Sequence, residues 1–233
     1  MKRPSIWLDG ATGTLGRALV EFLTERHYSL VLLSRNASFT HPNHPVLTLP
    51  DLGSDSESKF RNAINEYGAP TGFISASGIS LNRLACQTTD ADWNSVFAAN
   101  LFHPTRILRW MVPSMFAERR GSIILISSLA ATNPRIGQAA YAASKAALEA
   151  YVRATALEFA KKNVRINAVA PGFIDSKMLH SLPDKEKIQI RSKIPLDRWG
   201  TASEVATTSE FLLSDRSSYI TGQTISMNGG YGM

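Results

Sequence analysis

Short runs of apolar, β-prone residues alternate along the chain with longer stretches of helical spacing. The short runs are Ile6 to Leu8, Leu30 to Leu33, Val46 to Leu49, Gly72 to Ala76, Ser122 to Ser127, Arg165 to Val169 and Thr224 to Met227. Between them, Thr14 to Arg26, Ser54 to Tyr67, Asp90 to Ala117, Ala139 to Lys161 and Ala202 to Leu213 have helical spacing or composition. This alternation predicts an α/β fold: a Rossmann-like, doubly wound parallel sheet of about seven strands with helices on both faces. Ile123-Ile124-Leu125-Ile126 is apolar at every position, as expected of a strand covered on each side. No repeat, low-complexity tract or Gly/Ser linker interrupts the pattern, so a single domain is expected over residues 1–233.

Composition narrows the partners rather than the fold. With 233 residues and 44% apolar content, a core can form without disulfides or structural metal. The single cysteine, Cys86, excludes an intramolecular disulfide framework and a four-cysteine metal site, and reads as a packing residue in a reducing compartment. After Met1-Lys2-Arg3 the apolar stretch Ile6-Trp7-Leu8 is too short for a signal-peptide core, and no run has the length of a membrane span, so a cytoplasmic location is expected. The net charge of +6 suits nucleic acid, anionic lipid, a phosphorylated cofactor or an acidic protein. Its 25 basic residues are scattered singly or in pairs such as Arg119-Arg120 and Lys161-Lys162, without a nucleic-acid recognition motif.

The first chemical signal follows the first strand. Asp9-Gly10-Ala11-Thr12-Gly13-Thr14-Leu15-Gly16-Arg17 leads into a helix, with three glycines spaced three apart. A dinucleotide needs such a tight turn, a close backbone approach to its pyrophosphate, and a helix N-terminus whose free N–H groups favour anions. Glycine trios also occur in ordinary turns, so the end of the second strand matters. There Ser34-Arg35-Asn36 has no carboxylate for the ribose hydroxyls of NAD(H), while Arg35 and Arg17 offer planar forks to a 2′-phosphate; NADP(H) is expected. Asp51-Leu52, after the third strand, is a candidate contact for the adenine, although an Asp ending a strand is nearly as good an account.

A second signal lies beyond the fifth strand. Ser128 follows it, and thirteen residues later Tyr141-Ala142-Ala143-Ser144-Lys145 opens a long helix with Tyr141 and Lys145 on one face. A nearby ammonium and an oxidised nicotinamide would both stabilise a phenolate, fitting Tyr141 to pass a proton. In order, the glycine turn, Ser128, Tyr141-x-x-x-Lys145 and Pro171-Gly172 resemble the short-chain dehydrogenase/reductase superfamily over essentially the whole chain. Within it, Ile194 to Gly200, Glu204-Val205-Ala206, Ser218 to Thr224 and Asn228-Gly229-Gly230 resemble the bacterial 3-oxoacyl-[acyl-carrier-protein] reductases.

The resemblance implies NADPH-dependent reduction of a 3-oxoacyl thioester to its 3-hydroxy form, in fatty acid or related polyketide or polyene synthesis, with no metal. Tyr141 would be the general acid and Ser128 the hydrogen-bond partner of the carbonyl. Lys145 would lower the Tyr141 pKa and bind the nicotinamide ribose, and Asn100 would hold a water in a proton relay to Lys145. Cofactor contacts are expected from Gly10, Thr12, Gly13, Thr14, Leu15, Gly16, Arg17, Ser34, Arg35, Asp51, Leu52, Ser77, Gly78, Tyr141, Lys145, Pro171, Gly172, Ile174 and Ser176. Residues 177–193 match a substrate lid, and Arg119 and Lys162 match a docking pair for acyl carrier protein near the mouth of the site. The family precedent implies a homotetramer, or assembly with a paralogous subunit. Three departures stand out: Asp9 in place of the usual Thr, Ser75-Ala76-Ser77-Gly78 in place of Asn-Asn-Ala-Gly, and His103 where a glycine is common. The alternatives are a reductase of a free small ketone and a cofactor-binding scaffold without catalysis; the latter is disfavoured by the presence of all four catalytic residues.

Overall fold

The computed structural model describes residues 4–50, 52–180 and 182–232. Seven parallel strands form one sheet in the order β3-β2-β1-β4-β5-β6-β7. They are β1 (Ser5–Asp9), β2 (Ser29–Ser34), β3 (Val46–Thr48), β4 (Gly72–Ser75), β5 (Gly121–Ile126), β6 (Val164–Pro171) and β7 (Thr224–Met227). All seven expected strands are present, with ends shifted by a residue or two. The helices are α1 (Thr14–Glu25), α2 (Ser54–Tyr67), α3 (Asp90–Phe97), α4 (His103–Glu118), α5 (Ala139–Phe159), α6 (Lys177–His180), α7 (Asp184–Arg191) and α8 (Ala202–Leu213).

Strand period 2 sorts the apolar residues onto two cores. Trp7, Phe73, Ile123 and Ile166 point to one face and pack with Phe60 of α2, Trp110 of α4 and Leu148 of α5. Their chain neighbours Leu8, Ile74 and Ile124 point to the other, against Leu19 and Leu23 of α1 and Val205 and Leu212 of α8. A strand buried on both sides has no polar alternation to show, which is why β5 reads as an unbroken apolar run.

Two consequences of this topology place the site. The strand order reverses between β1 and β4, so the helices leaving these strands diverge and open a crevice at the strands' C-terminal ends. The expected single helix Asp90 to Ala117 is instead broken: α3 and α4 are joined by a wide π turn over Ala98–Phe102. Pro104, near the start of α4, has no N–H to give the carbonyl four residues back, so the α-helical bond to Asn100 is removed by the sequence itself. Wide turns of this kind recur at functional sites.

Candidate active site

The glycine turn is built by close backbone approach. Gly10 has φ +86°, and a Cβ there would lie 2.5 Å from the backbone nitrogen of Ser77. A Cβ on Gly16 would lie 2.0 Å from the Gly10 carbonyl oxygen, so α1 is seated directly on the turn. Whereas α3 and α8 start on capping boxes at Thr89 and Thr201, α1 starts at Gly13 with no side-chain cap and no acidic residue in its first turn. Its first N–H groups are thereby left for an outside anion, which fits a pyrophosphate lying over exposed Thr12, Gly13 and Thr14 beside half-buried Leu15. After β2, the Ser34 hydroxyl accepts from Asn36 N at 3.0 Å, a tight turn that leaves Arg35 exposed. Arg17 is exposed at the start of α1. Leu52 is buried with φ +55°. Asp51 lies outside the described residues.

The second group converges on the same crevice from β4, β5, α5 and the π turn. Asn100 is 1% exposed, and its side-chain amide is fully engaged. Oδ1 accepts from Ile79 N at 2.8 Å, while Nδ2 donates to Ile79 O and to Ser144 Oγ, each at 2.9 Å. With the amide held this way, the backbone of Asn100 is fixed beside Lys145. A Cβ on Gly78 would lie 2.9 Å from Asn100 Oδ1 and 3.4 Å from Lys145 Nζ, which shows how closely the three approach. Ser128 follows β5, and its hydroxyl stands close enough to the Tyr141 phenol to favour the phenolate. Asn100, Ser128, Tyr141 and Lys145 are thus brought together as the sequence led one to expect.

The electrostatics differ in one respect from the expectation that Lys145 lowers the phenol's pKa. Burial pushes Tyr141 up and the Ser128 hydroxyl opposes it; Lys145 does not enter the balance. The ammonium of Lys145 instead donates to the Ile126 carbonyl at the end of β5, at 2.8 Å. Burial lowers Lys145 to about 8, and the Glu149 carboxylate one turn along α5 opposes that fall. Glu149 is itself buried and accepts from the Ser127 hydroxyl at 2.7 Å. Two results follow. Lys145 contributes stability that grows as pH rises from about 8 towards 10.5, because over that interval the unfolded Lys145 holds a proton that the folded one has lost. Turnover that needs a charged Lys145 declines above about 8, and Glu149→Gln moves that alkaline limb to lower pH. A pH–rate profile of the variant with the limb unmoved would show that Glu149 does not set the charge.

On the far side of the crevice, Pro171 ends β6 and Gly172 N donates to the Met227 carbonyl at 2.9 Å. Ile174 forms a bridge with Gly200, and the Ser176 hydroxyl accepts from Leu179 N at the start of α6. Arg135, in the loop before α5, pairs with Glu186, tying α7 to the approach to Tyr141. The expected docking pair is brought together, since Arg119 Nη2 donates to the Lys161 carbonyl at 3.3 Å and Lys162 is the next residue. It is not at the mouth of this chain's site, however. α5 runs away from Tyr141, and at about 1.5 Å per residue Lys162 lies about 30 Å from it, by the N-terminal ends of the strands, where α4 feeds β5 and α5 feeds β6.

Four participants were not anticipated: Ile79 and Ser144, which hold Asn100; Glu149, which faces Lys145; and His103, which is paired with Asp9. Glu149 left a sequence signal in its i,i+4 spacing from Lys145, and His103 stood out where a glycine is common.

Comparison with known proteins bears on the family and the fold. A family model described as enoyl-(acyl carrier protein) reductase matches residues 52–232. The 3-oxoacyl-[acyl-carrier-protein] reductase of Salmonella typhimurium is 34% identical over 232 residues, 96% of this chain and 95% of that protein. The Thermotoga maritima protein of the same name is 40% identical over 167 residues, 72% of this chain and 68% of that one. A crystal structure of 3-oxoacyl-[acyl-carrier protein] reductase from Brucella melitensis superimposes with TM-score 0.89 at 25% identity, covering 100% of this chain and 92% of that one.

Proposed function

The chain belongs to the short-chain dehydrogenase/reductase family, and from that premise we propose that it reduces a 3-oxoacyl thioester borne by acyl carrier protein to the 3-hydroxyacyl thioester, using NADPH. The observation that carries the chemistry is the meeting of Ser128, Tyr141, Lys145 and Asn100 beside an uncapped, glycine-seated helix N-terminus. The substrate class follows from what the relatives' names say they reduce. Arg17 and Arg35, both exposed, and the lack of a carboxylate in Ser34-Arg35-Asn36 support the 2′-phosphorylated cofactor.

When bound, the reduced nicotinamide supplies a hydride to the carbonyl carbon. The rest is the work of the side chains. Ser128 and Tyr141 present two hydroxyls to the carbonyl oxygen, so negative charge developing there meets preoriented donors. Tyr141 gives its proton to that oxygen. Lys145, positive below about 8, holds the nicotinamide ribose. The Asn100 backbone, fixed by its own side-chain amide, holds a water through which the proton is replaced. Pro171, Gly172, Ile174 and Ser176 line the nicotinamide side.

The chain works as one domain, with residues 177–193 as its substrate lid; exposed Ile188 on α7 and Ile136 beside Arg135 offer apolar surface to an acyl chain. Because Arg119 and Lys162 lie far from their own Tyr141, a carrier docked on them serves the site of a second copy. This suits a homotetramer, or an assembly with a paralogous subunit. No helix among the described residues is long and apolar enough to cross a membrane, and the cytoplasm, where carrier and NADPH meet, is the proposed location. Charge reversal at both Arg119 and Lys162 raises KM for the carrier-bound substrate and leaves KM for a small thioester mimic nearly unchanged. Equal effects on both substrates would remove the docking assignment, and a preference for NADH over NADPH would refute the reading of Arg17 and Arg35.

A further inference from the structure

The three places where the sequence leaves the family pattern meet in one buried cluster. Asp9, at the end of β1, is 3% exposed; His103, at the start of α4, is 7% exposed and 94 residues away in sequence. A single carboxylate oxygen, Asp9 Oδ2, accepts the Ser75 hydroxyl at 3.1 Å and the Ser77 hydroxyl, and lies 3.1 Å from His103 Nε2. Burial pushes the carboxyl up, but His103 and the two hydroxyls outweigh it and hold Asp9 below its ordinary value, so a charged acceptor ties three chain segments together.

The flanking residues give this tie a job. Gly10, next to Asp9, begins the cofactor turn and is pressed against Ser77; Gly78, next to Ser77, is pressed against Asn100 and Lys145. Asn100 stands three residues before His103, in the π turn whose α-helical bonding Pro104 has interrupted. Ser77-Gly78 is therefore a wedge between the cofactor turn and the catalytic amide, and Asp9 and His103 hold the two sides of the wedge. Without them, the π turn has one fewer anchor to the sheet at the point where its backbone must be placed.

We infer that Asp9 and His103 are positioning residues whose buried pair sets the register between the Gly10 turn and the turn bearing Asn100. This inference rests on the cofactor reading above. Its consequence is that cofactor affinity and kcat depend together on a contact that touches neither cofactor nor substrate.

The test is NADPH titration by fluorescence, with kcat and the melting temperature of the cofactor-free protein, on variants approaching the pair from both sides. His103→Leu and Asp9→Leu each delete the bond; His103→Gln and Asp9→Asn keep a donor or acceptor in place. Each leucine variant is expected to weaken NADPH binding about tenfold and to lower kcat as well. The conservative variants stay near wild type, and the double leucine variant loses no more than either single one. Having a deletion from each side keeps the comparison readable where one variant fails to fold. A folded leucine variant with wild-type affinity and kcat, changed only in melting temperature, would overturn the inference alone. A wild-type chain that does not bind NADPH would overturn the cofactor reading and the inference with it.

Discussion

Tyr141→Phe is expected to lower kcat about a thousandfold or more while leaving NADPH affinity within about twofold of wild type. The phenol is the proposed proton donor beside Ser128, just past the end of β5, and its removal leaves the Ser128 hydroxyl to meet the developing alkoxide alone. Phe fills the same half-buried space, so α5 and the crevice wall keep their packing. The cofactor turn, built from Gly10, Gly16 and the start of α1, is untouched. Affinity and rate therefore separate. Single-turnover rates and fluorescence titration on the same preparation measure both, and turnover retained by the variant would sink the assignment of Tyr141 as the acid.

The second large effect is structural in origin and is read in the cofactor. Gly10→Ala must place a side chain at φ +86° and 2.5 Å from the Ser77 backbone nitrogen, where no flexible side chain is available to give way. Either the turn opens or β4's end moves, and each displaces Ser77-Gly78 from Asn100. A stability loss of about 3 kcal/mol or more, with loss of measurable NADPH binding, is expected. Gly68→Ala supplies the control, since Gly68 has the same φ of +86° at the end of α2 with nothing within 4 Å of the added Cβ. There only the strain of a backbone at φ 86°, ψ 165° remains, about 1–3 kcal/mol, and cofactor binding is kept. Denaturant unfolding of the pair isolates the close approach; equal losses at both positions would show that conformation alone, and not the seating of the turn on Ser77, governs Gly10.

Much of the architecture was legible because period and punctuation are local. Seven apolar runs became seven strands, and Ser54 to Tyr67 and Ala202 to Leu213 became helices with those ends. The parallel, helix-covered sheet followed from alternation along the chain. The break within Asp90 to Ala117 was harder to read: apolar spacing continues through Ala98 to Phe102, and Pro104 is tolerated near a helix start, so the pattern does not distinguish one long helix from two. The four proposed catalytic residues were picked out through spacing and resemblance, and the fold brings them together. Their supports were not. Asn100 is held by Ile79 and Ser144, and Asp9 by His103, in contacts between residues 21, 44 and 94 apart, which no local period encodes. Asp9, Ser77 and His103 looked like three separate departures in the sequence and are one cluster in the fold. The proposed docking pair shows the converse: Arg119 and the segment bearing Lys162 meet, but only the direction of α4 and α5 reveals that they lie far from their own Tyr141.

The most direct test is to incubate the purified chain with NADPH and a 3-oxoacyl acyl carrier protein and to weigh the intact carrier by mass spectrometry. Matched carriers bearing the 2-enoyl chain and the free ketone of the same length are run alongside. The account predicts an NADPH-dependent gain of two hydrogens on the 3-oxoacyl carrier, absent with Tyr141→Phe, with the enoyl carrier unchanged and the free ketone reduced far more slowly. An unchanged 3-oxoacyl carrier beside a reduced enoyl carrier or a readily reduced free ketone would contradict it.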